Sequence, residues 1–412
     1  MARRGAVLRR TRLAIALALT APLALTACGG GGGEASSGEV TSLRVLDYYN
    51  NEPDNTVYQT TLEECGRQIG VTIERESIPG DTLIAKVLQQ ASSRTLPDVL
   101  MLDNPDLQQI AATGALAPIA DFGLSAEGYA EGVVNASTYE GEVYGLQPVT
   151  NTIGLFYNEA MLAEAGVAPP TTWEELKTAA AALTQGDRYG VAFSAAATYE
   201  GTWQFLPFMW SNGGDETDLA SPQVAEALQL WVDLVNSGSA SRSVLNWGQS
   251  DVNEQFMAGN AAMMVNGPWQ FPVLAENAPD LGYGVVPIPV PQAGDTLVAP
   301  LGGETWTIPR AGDEARQTKA AQIVECLNTD ENQMALATQR TTVPTKTALR
   351  EEFVAQVPEM AAFTEAVQTA RARTGKLGEE WPAAATKIYT AVQTAITGGA
   401  SPQDALRQAQ DG

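Results

Sequence analysis

Apolar positions after residue 40 switch repeatedly between the spacing of strands and the spacing of helices. The strand-like run 43–49 precedes apolar residues at helical intervals that end at Gly70, and a second strand is predicted at 71–78. Another helical segment runs to about residue 92, before a short buried-type strand at 98–102. Strands that alternate with helices in this way are typical of a parallel sheet. The pattern therefore predicts an α/β domain.

A second group of elements begins near residue 150. Its best-marked start is a helix after Pro169-Pro170, because Thr171/Glu174 and Thr172/Glu175 both have the spacing of a capping box. A chain of 412 residues is long enough to form more than one core. The other elements are a strand, two helices, a proline-rich strand region and an alanine-rich helical tail, predicted at 152–157, 223–236, 252–259, 285–291 and from 381 onward.

The N-terminal segment has the pattern of an export signal. Five arginines precede the apolar run 13–27, whose 15 residues are too few to span a bilayer comfortably. The run ends in Leu25-Thr26-Ala27-Cys28, which resembles the lipobox of bacterial lipoproteins, where the cysteine is acylated. We predict a signal peptide at 1–27, lipidation of Cys28 and a flexible tether at 28–39. An ordinary signal peptide and twin-arginine export remain open.

Charge and histidine content exclude several functional classes. The chain has 24 basic and 48 acidic residues, and its net charge of −24 at pH 7 disfavours nucleic-acid binding. It contains no histidine, which removes Ser-His-Asp and Cys-His nucleophilic sites and nearly every common zinc or iron arrangement. We expect no cofactor and no metal. A glycosidase with two catalytic carboxylates stays open on composition alone.

Several short strings occur in the order and spacing of one receptor family and span nearly all of residues 40–410. On these strings, the sequence resembles the extracellular solute-binding proteins of ABC sugar importers, the maltose-binding-protein-like family. Each string alone is weak, but their common order is specific. The strings are Leu96-Pro97-Asp98-Val99 with Gly114-Ala115-Leu116, Val143-Tyr144-Gly145-Leu146, Leu155-Phe156-Tyr157-Asn158, Pro169-Pro170-Thr171-Thr172-Trp173-Glu174-Glu175-Leu176, Asn212-Gly213-Gly214, Phe256-Met257-Ala258-Gly259-Asn260-Ala261-Ala262-Met263, Gly267-Pro268-Trp269 and Gly302-Gly303.

The resemblance implies a fold and a function. The fold is α/β, of the periplasmic-binding-protein type II, with two α/β lobes joined by a hinge around a ligand cleft. Lobe 1 would take residues 40–149 and 292–345, and lobe 2 would take 150–291 and 346–412. The function would be a substrate-binding lipoprotein, a monomer without enzymatic activity on the extracytoplasmic face of the cell membrane. It would deliver a neutral carbohydrate, an oligosaccharide, to an ABC permease.

Tryptophans are candidates for stacking on sugar rings, which present C–H groups on their faces. Trp269 matches a stacking position of the family, and Trp203, near Glu200, lies about where the family carries a second stacking aromatic. Paired glycines place Trp306 and Glu304 in a loop that a ligand can approach closely. Trp247 and Trp381 are weaker candidates of the same kind. A buried position in the core is the alternative for each tryptophan.

Polar residues after predicted strands are candidates for binding sugar hydroxyls. Ligands of open α/β sheets bind at the carboxyl ends of strands, so we expect contacts from Asn51, Glu52, Asp103, Asn104 and Asn151. A turn or helix cap is the alternative for each, because Asn and Asp favour such positions without a ligand. Two of them depart from the maltose-binding pattern: Asn151 replaces a carboxylate, and Asp103 aligns two residues early.

The three cysteines divide unevenly. If Cys28 is lipidated, Cys65 and Cys326 remain as an even pair in an exported protein, and a disulfide is the natural interpretation. Two free buried thiols are the alternative.

Two rival functions stay open, a cell-surface carbohydrate-active hydrolase and a receptor of the same fold for a non-sugar solute. The candidate loops contain no Arg or Lys, which favours a neutral ligand over a phosphorylated one. The string Arg373-Thr374-Gly375-Lys376 is similar to the end of a phosphate-binding loop. It lacks the first glycine and the Ser or Thr after the lysine, so we predict no nucleotide site.

Overall fold

A computed structural model describes residues 39–412, and the predicted signal peptide and Cys28 lie outside the described residues. The first part of the chain forms the predicted alternation, with β1 parallel to both β2 and β3. Gly70 ends the first helix in the left-handed conformation, with φ of 76°. The elements are β1 (Ser42–Asp47), α1 (Asp54–Ile69), β2 (Thr72–Ser77), α2 (Gly80–Ser93), β3 (Val99–Asp103) and α3 (Asn104–Ala112).

Short elements connect this part to the next. Helix α4 and the two-residue strands around it lie close to the chain turns at Gly128 and Gly141, which have φ of 82° and 86°. The strands β5 and β6 form a hairpin, and β7 contributes to the first sheet. The elements are β4 (Leu116–Ala117), α4 (Glu131–Ala136), β5 (Thr138–Tyr139), β6 (Glu142–Val143), β7 (Gly145–Leu146) and β8 (Val149–Thr150).

A second sheet follows, with the strand order β10-β11-β9-β12. Strand β10 is parallel to β11, whereas β9 is antiparallel to both of its neighbours. The elements are β9 (Gly154–Asn158), α5 (Glu159–Ala165), α6 (Trp173–Leu183), β10 (Tyr189–Ala192), α7 (Tyr199–Ser211), α8 (Pro222–Asn236), α9 (Gln249–Met257), β11 (Ala261–Asn266), α10 (Gln270–Asn277) and β12 (Tyr283–Val286).

The chain then returns to the first sheet through β14, which is antiparallel to β3, β4 and β7. The order of the first sheet is β2-β1-β3-β14-β4 with β7 beside β14. The last elements are β13 (Pro300–Leu301), β14 (Glu304–Pro309), α11 (Glu314–Leu327), α12 (Asp330–Arg340), β15 (Val343–Pro344), α13 (Arg350–Gln356), α14 (Ala361–Ala366), β16 (Arg371–Ala372), α15 (Trp381–Thr397) and α16 (Pro402–Asp411).

Two sequence expectations are decided by local chemistry. The capping box of α6 uses Thr172 and Glu175, and the hydroxyl of Thr171 also donates to Glu175 instead of pairing with Glu174. The strand predicted over 285–291 is wrong beyond Val286. The three prolines at 287, 289 and 291 have no amide N–H to donate to a neighbouring strand.

Each sheet buries aromatic side chains. Against the first sheet, the ring of Tyr58 lies 5.4 Å from that of Trp306, and a disulfide joins Cys65 of α1 to Cys326 of α11. Against the second sheet, Trp231 packs with Phe193 and Phe205 at centroid distances of 4.3 and 5.2 Å. Across residues 39–412, no helix combines the length and the apolar character that a membrane span requires.

Candidate ligand-binding site

Residues that follow strands of both sheets line one cavity of about 230 Å³. It lies where β1, β3 and β11 end, as expected for an open α/β sheet. Six of the twelve candidate ligand residues line it: Asp103, Asn151, Glu200, Trp203, Trp269 and Glu304.

Tyr48 and Tyr49 reach the cavity because the end of β1 is held firmly. The carboxylate of Asp47 is buried, pairs with Arg75 and accepts the backbone N–H of Tyr49 at 2.9 Å. Arg75 also donates to the carbonyl of Tyr49 at 2.9 Å. The backbone of Tyr49 is therefore fixed on both sides, directly after the strand.

Glu304 accepts hydrogen bonds from both tyrosines. The Tyr48 hydroxyl donates to Oε1 at 2.5 Å, and the Tyr49 hydroxyl donates to Oε2. Burial raises the pKa of the Glu304 carboxyl, and the nearby guanidinium of Arg340 and the two hydroxyls offset part of this rise. With their protons engaged by the carboxylate, the phenol oxygens can act as acceptors towards a ligand.

Arg340 is held from several directions behind these tyrosines. Its Nε and Nη2 donate to the two carboxylate oxygens of Asp54 at 2.8 and 2.9 Å, and Nη1 donates to the Tyr58 hydroxyl at 2.8 Å. The guanidinium carbon lies 4.4 Å from the ring centroid of Tyr49 and 4.7 Å from that of Tyr58. Its charge is therefore balanced inside the protein.

Trp203 forms part of the wall on the side of α7. Its side chain is largely buried, and within residues 39–412 its indole Nε1–H has no hydrogen-bond partner. The guanidinium carbon of Arg373 lies 4.7 Å from its ring centroid. Nη2 of Arg373 donates to Asp103 at 2.6 Å and to the side chain of Asn104 at 3.0 Å.

Asp106 lies close to this group, in the first turn of α3. Burial raises the pKa of its carboxyl to about 7; the charge of Asp103 adds to the rise, and Arg373 opposes it. Its Oδ1 has no hydrogen-bond partner in the described part of the chain.

The paired glycines bring the backbone close to other protein groups. A Cβ on Gly302 would lie 1.9 Å from Oδ1 of Asn151, and one on Gly303 would lie 2.1 Å from Nε2 of Gln147. Gly303 has φ of 104°, a conformation that favours glycine. The amide of Gly302 donates to the Asn151 carbonyl at 2.8 Å, so close packing here fixes Asn151 at the cavity.

The remaining wall comes from α7, α9 and the start of α10. Oε2 of Glu200 accepts the backbone N–H of Gln249 at 2.9 Å, which joins the first turns of α7 and α9. Trp269 immediately precedes α10 and is half-buried at the cavity.

Three candidates are buried, and their expected ligand role is corrected. Trp306 and Trp381 are 0% and 1% exposed and belong to the two cores, where their large apolar rings are best removed from water. Asn104 is 2% exposed, and its amide groups are engaged by Arg373 and Gln147.

Three further candidates lie outside the cavity lining. Asn51 and Glu52 are exposed before α1, where Glu52 accepts the backbone N–H of Thr56 at 3.2 Å as a helix-capping group. Trp247 is half-buried and packs against both cores. These positions match the alternatives given above: a turn or a helix cap for Asn51 and Glu52, and a position against the core for Trp247.

Sequence reasoning missed half of the cavity wall. The tyrosines after β1 fall inside the predicted strand 43–49, which ends at Asp47 in the structure, so the rule that selected Asn51 passed over them. The others come from distant segments and carry no local signal. The missed residues are Tyr48, Tyr49, Asp54, Tyr199, Gln249, Arg340, Thr342 and Arg373. Gly302 and Gly303 complete the lining.

Comparison with known proteins decides the family. The sequence profile of the bacterial extracellular solute-binding proteins matches residues 60–364, which is most of the chain. The chain belongs to this family. Among relatives of this solute-binding protein, an ABC transporter-binding protein of Deinococcus radiodurans is 26% identical over 368 residues, covering 83% of this chain and 86% of that one.

Two further similarities concern proteins with named ligands. The maltooligosaccharide ABC transporter solute-binding lipoprotein of Streptococcus pneumoniae is 24% identical over 357 residues, covering 81% of this chain and 80% of the relative. The GacH receptor of Streptomyces glaucescens, solved unliganded and with acarbose, superposes with a TM-score of 0.81 at 27% identity. That superposition covers 90% of this chain and 97% of the receptor.

These findings confirm the predicted family and fold class. The protein is an ABC transporter solute-binding protein with the two-lobed α/β architecture of periplasmic binding proteins. The residue boundaries of the lobes and the ligand contacts remain predictions.

Proposed function

We propose that this solute-binding protein captures a neutral carbohydrate, an oligosaccharide, and delivers it to the membrane permease of an ABC transporter. The observation that carries the proposal is the composition of the cavity wall. Five aromatic side chains surround hydrogen-bonding carboxylates and amides there, namely Tyr48, Tyr49, Tyr199, Trp203 and Trp269. Aromatic rings suit the faces of a sugar, and polar groups in plane with it suit its hydroxyls.

Charge balance in the cavity supports a neutral ligand. Two arginines line the wall, although the loops selected from the sequence contain none. Arg340 pairs with Asp54 and Arg373 pairs with Asp103, so the charge of each arginine is already balanced by a carboxylate. Glu200 and Glu304 add negative charge that would repel an anion.

The ligands named for one relative and for one similar structure favour an oligosaccharide as the ligand of this protein. A relative is a maltooligosaccharide-binding lipoprotein and a similar structure binds acarbose, and neither is an enzyme by its name. We propose the same division of labour here: the protein binds sugar and catalyses no reaction. Lobes 40–149 with 292–345 and 150–291 with 346–412 would close on the ligand by a hinge motion.

Attachment to the cell surface follows from the N-terminal sequence. We propose that Cys28 is acylated and that the tether 28–39 holds a monomeric receptor at the extracytoplasmic face of the membrane. A net charge of −24 makes lipid, rather than electrostatic attraction to anionic lipid, the means of attachment. Mass spectrometry of the N-terminal peptide from membranes checks this, because an unmodified Cys28 contradicts it.

The binding proposal is tested by thermal unfolding of the full chain with neutral mono- and oligosaccharides. A ligand present at about 100 times its Kd stabilises the protein by roughly 2.7 kcal/mol, which raises Tm by several degrees. We expect a rise with one class of neutral oligosaccharide, and recovery of the sugar unchanged by chromatography.

Sugar phosphates, amino acids and divalent cations serve as controls in the same screen. A response to one of these, with flat curves for every sugar, would identify a receptor for a non-sugar solute. A sugar that raises Tm and is then consumed would identify a carbohydrate-active hydrolase.

A further inference from the structure

Three cations lie within residues 371–376, a segment of which only Arg373 lines the cavity. Strand β16 pairs with β13, directly before the cavity glycines, and the Arg371 N–H donates to the Ala299 carbonyl at 2.9 Å. The side chains of Arg371, Arg373 and Lys376 all make ion pairs. The segment that is similar to the end of a phosphate-binding loop therefore uses its cations in ion pairs with other parts of the protein, beside the cavity.

Arg371 and Arg373 make the same kind of contact with helix α7. The guanidinium carbon of Arg371 lies 4.6 Å from the ring centroid of Trp210, and that of Arg373 lies 4.7 Å from that of Trp203. The two tryptophans are seven residues apart, which places them on one face of α7 two turns apart. Two cation–π contacts thus attach the segment to that face.

The two arginines differ in the carboxylates that they hold. Arg371 donates to Glu216 and Asp215, which follow α7, and Lys376 donates to Asp215 as well. Arg373 instead donates to Asp103 at the end of β3. Trp203 and Asp103 both line the cavity, whereas Trp210 and Glu216 do not. Of the three cations in this segment, Arg373 is the one that connects two parts of the cavity wall.

We infer that Arg373 is a positioning residue of the ligand site. Its guanidinium fixes the ring of Trp203 and the carboxylate of Asp103 relative to each other, although one belongs to α7 and the other to the first sheet. The inference rests on the proposed function, because it concerns the same cavity. Lysine cannot replace arginine here, since a point charge on a flexible stem does not stack on a ring and bind a carboxylate in a fixed plane.

The substitution R373K and its matched control R371K test this in the full chain. Each removes one stack on α7; R371K weakens the ion pairs with Glu216 and Asp215, and R373K weakens the pair with Asp103, so both should lower Tm. Titration calorimetry with maltotriose should show about tenfold weaker binding for R373K and less than a twofold change for R371K. Equal effects of the two substitutions on affinity, or no effect of R373K, would overturn the inference.

A double substitution separates positioning from direct contact with the sugar. If Arg373 acts through Trp203, R373K should weaken binding by only about twofold in a W203F background, because the two effects are coupled. A tenfold effect that persists in W203F would mean that Arg373 does not act through Trp203, which overturns the inference that its stack positions that ring.

A readout without ligand keeps the inference separate from the proposed function. If the wild type binds no saccharide, the proposed function fails, and acrylamide quenching decides the role of Arg373. The contribution of Trp203 to the quenched fluorescence is the difference in emission between each protein and the same protein carrying W203F. We expect R373K, but not R371K, to make that contribution more accessible to quenching. An unchanged Trp203 contribution in R373K would overturn the inference.

Discussion

The cavity has two walls that differ in how completely their polar groups are satisfied within the protein. The tyrosine wall is closed by internal hydrogen bonds: both oxygens of Glu304 and all three guanidinium nitrogens of Arg340 are engaged. The tyrosine wall comprises Tyr48, Tyr49, Asp54, Glu304 and Arg340.

The tryptophan wall comprises Glu200, Trp203, Gln249, Trp269 and Arg373. It contains polar atoms that find no partner in the part of the chain that the structure describes: Nε1 of Trp203, Oε1 of Gln249 and Nε of Arg373. A satisfied buried network stabilises a fold, whereas unsatisfied groups cost free energy unless something else binds them. We expect the removal of an internal partner to cost more stability in the tyrosine wall than in the tryptophan wall, and the removal of an aromatic ring from the tryptophan wall to cost affinity.

The largest expected effect comes from Asp106, which lies behind Asp103 and Arg373. Its pKa is raised to about 7 in the folded protein, so folding is favoured by its protonated form. That stability is complete below the unfolded pKa and is lost as pH rises towards and through about 7, by roughly 4 kcal/mol at most. D106N should therefore unfold at higher urea than the wild type at pH 8, and the difference should vanish towards pH 4.

D187N is the control for Asp106, because Asp187 is exposed. Its unfolding curve should follow that of the wild type at every pH. If D106N and the wild type lose stability equally between pH 4 and pH 8, the ionisation of buried Asp106 does not cause the loss of stability with rising pH.

The second effect tests the comparison of the walls directly. R340M leaves the Asp54 carboxylate and the buried Tyr58 hydroxyl without their partner, and we expect a loss of about 3 kcal/mol in the free energy of unfolding. R373M removes an ion pair with Asp103 and a hydrogen bond to the Asn104 side chain, but it also removes a buried Nε–H that has no partner in the described residues, so it should cost less, about 1 kcal/mol. Urea unfolding of both variants at pH 7 checks this, and equal losses would remove the distinction between the walls.

The fold was predictable from local signals, and only part of the site was. Strands β1 to β3 and the capped start of α6 follow from periodicity and from the Thr172/Glu175 spacing, which act over a few residues. The return of β14 to the first sheet has no such signal, because its partners lie about 200 residues away along the chain, as in the pairing of Thr307 with Leu100.

The same distinction explains the site residues. Asp103 follows a recognisable strand, so its place at the cavity could be inferred from topology. Arg340 and Arg373 reach the cavity only through the folding of distant segments. Tryptophan content could not separate Trp203 from Trp306, because a large ring is equally suited to a cavity wall and to a core.

A third effect separates affinity from stability within the tyrosine wall. In E304Q, an amide can accept from one tyrosine hydroxyl but must donate to the other, so the acceptor pattern towards the ligand changes. We expect about tenfold weaker binding of maltotriose by calorimetry. The free energy of unfolding at pH 7 should not fall, because burial raises the pKa of Glu304 and thus disfavours its ionised form in the folded state.

The pH dependence of binding gives the control for Glu304. Wild-type affinity should fall as pH decreases through the raised pKa of Glu304, because protonation removes an acceptor from the tyrosines. The affinity of E304Q should change less over the same range. A parallel decline in both proteins would show that another group controls binding.

The smallest expected effect concerns two half-buried tryptophans that differ in one respect: Trp269 lines the cavity and Trp247 does not. An aromatic stacking contact contributes about 0.5 to 1.5 kcal/mol, and W269F retains a smaller ring, so we expect binding of maltotriose to weaken about threefold. W247F makes the same chemical change outside the cavity and should leave Kd within measurement error in calorimetry. If both substitutions weaken binding equally, a general loosening of the packing around the cavity explains the effect. Trp269 would then make no specific contact with the sugar.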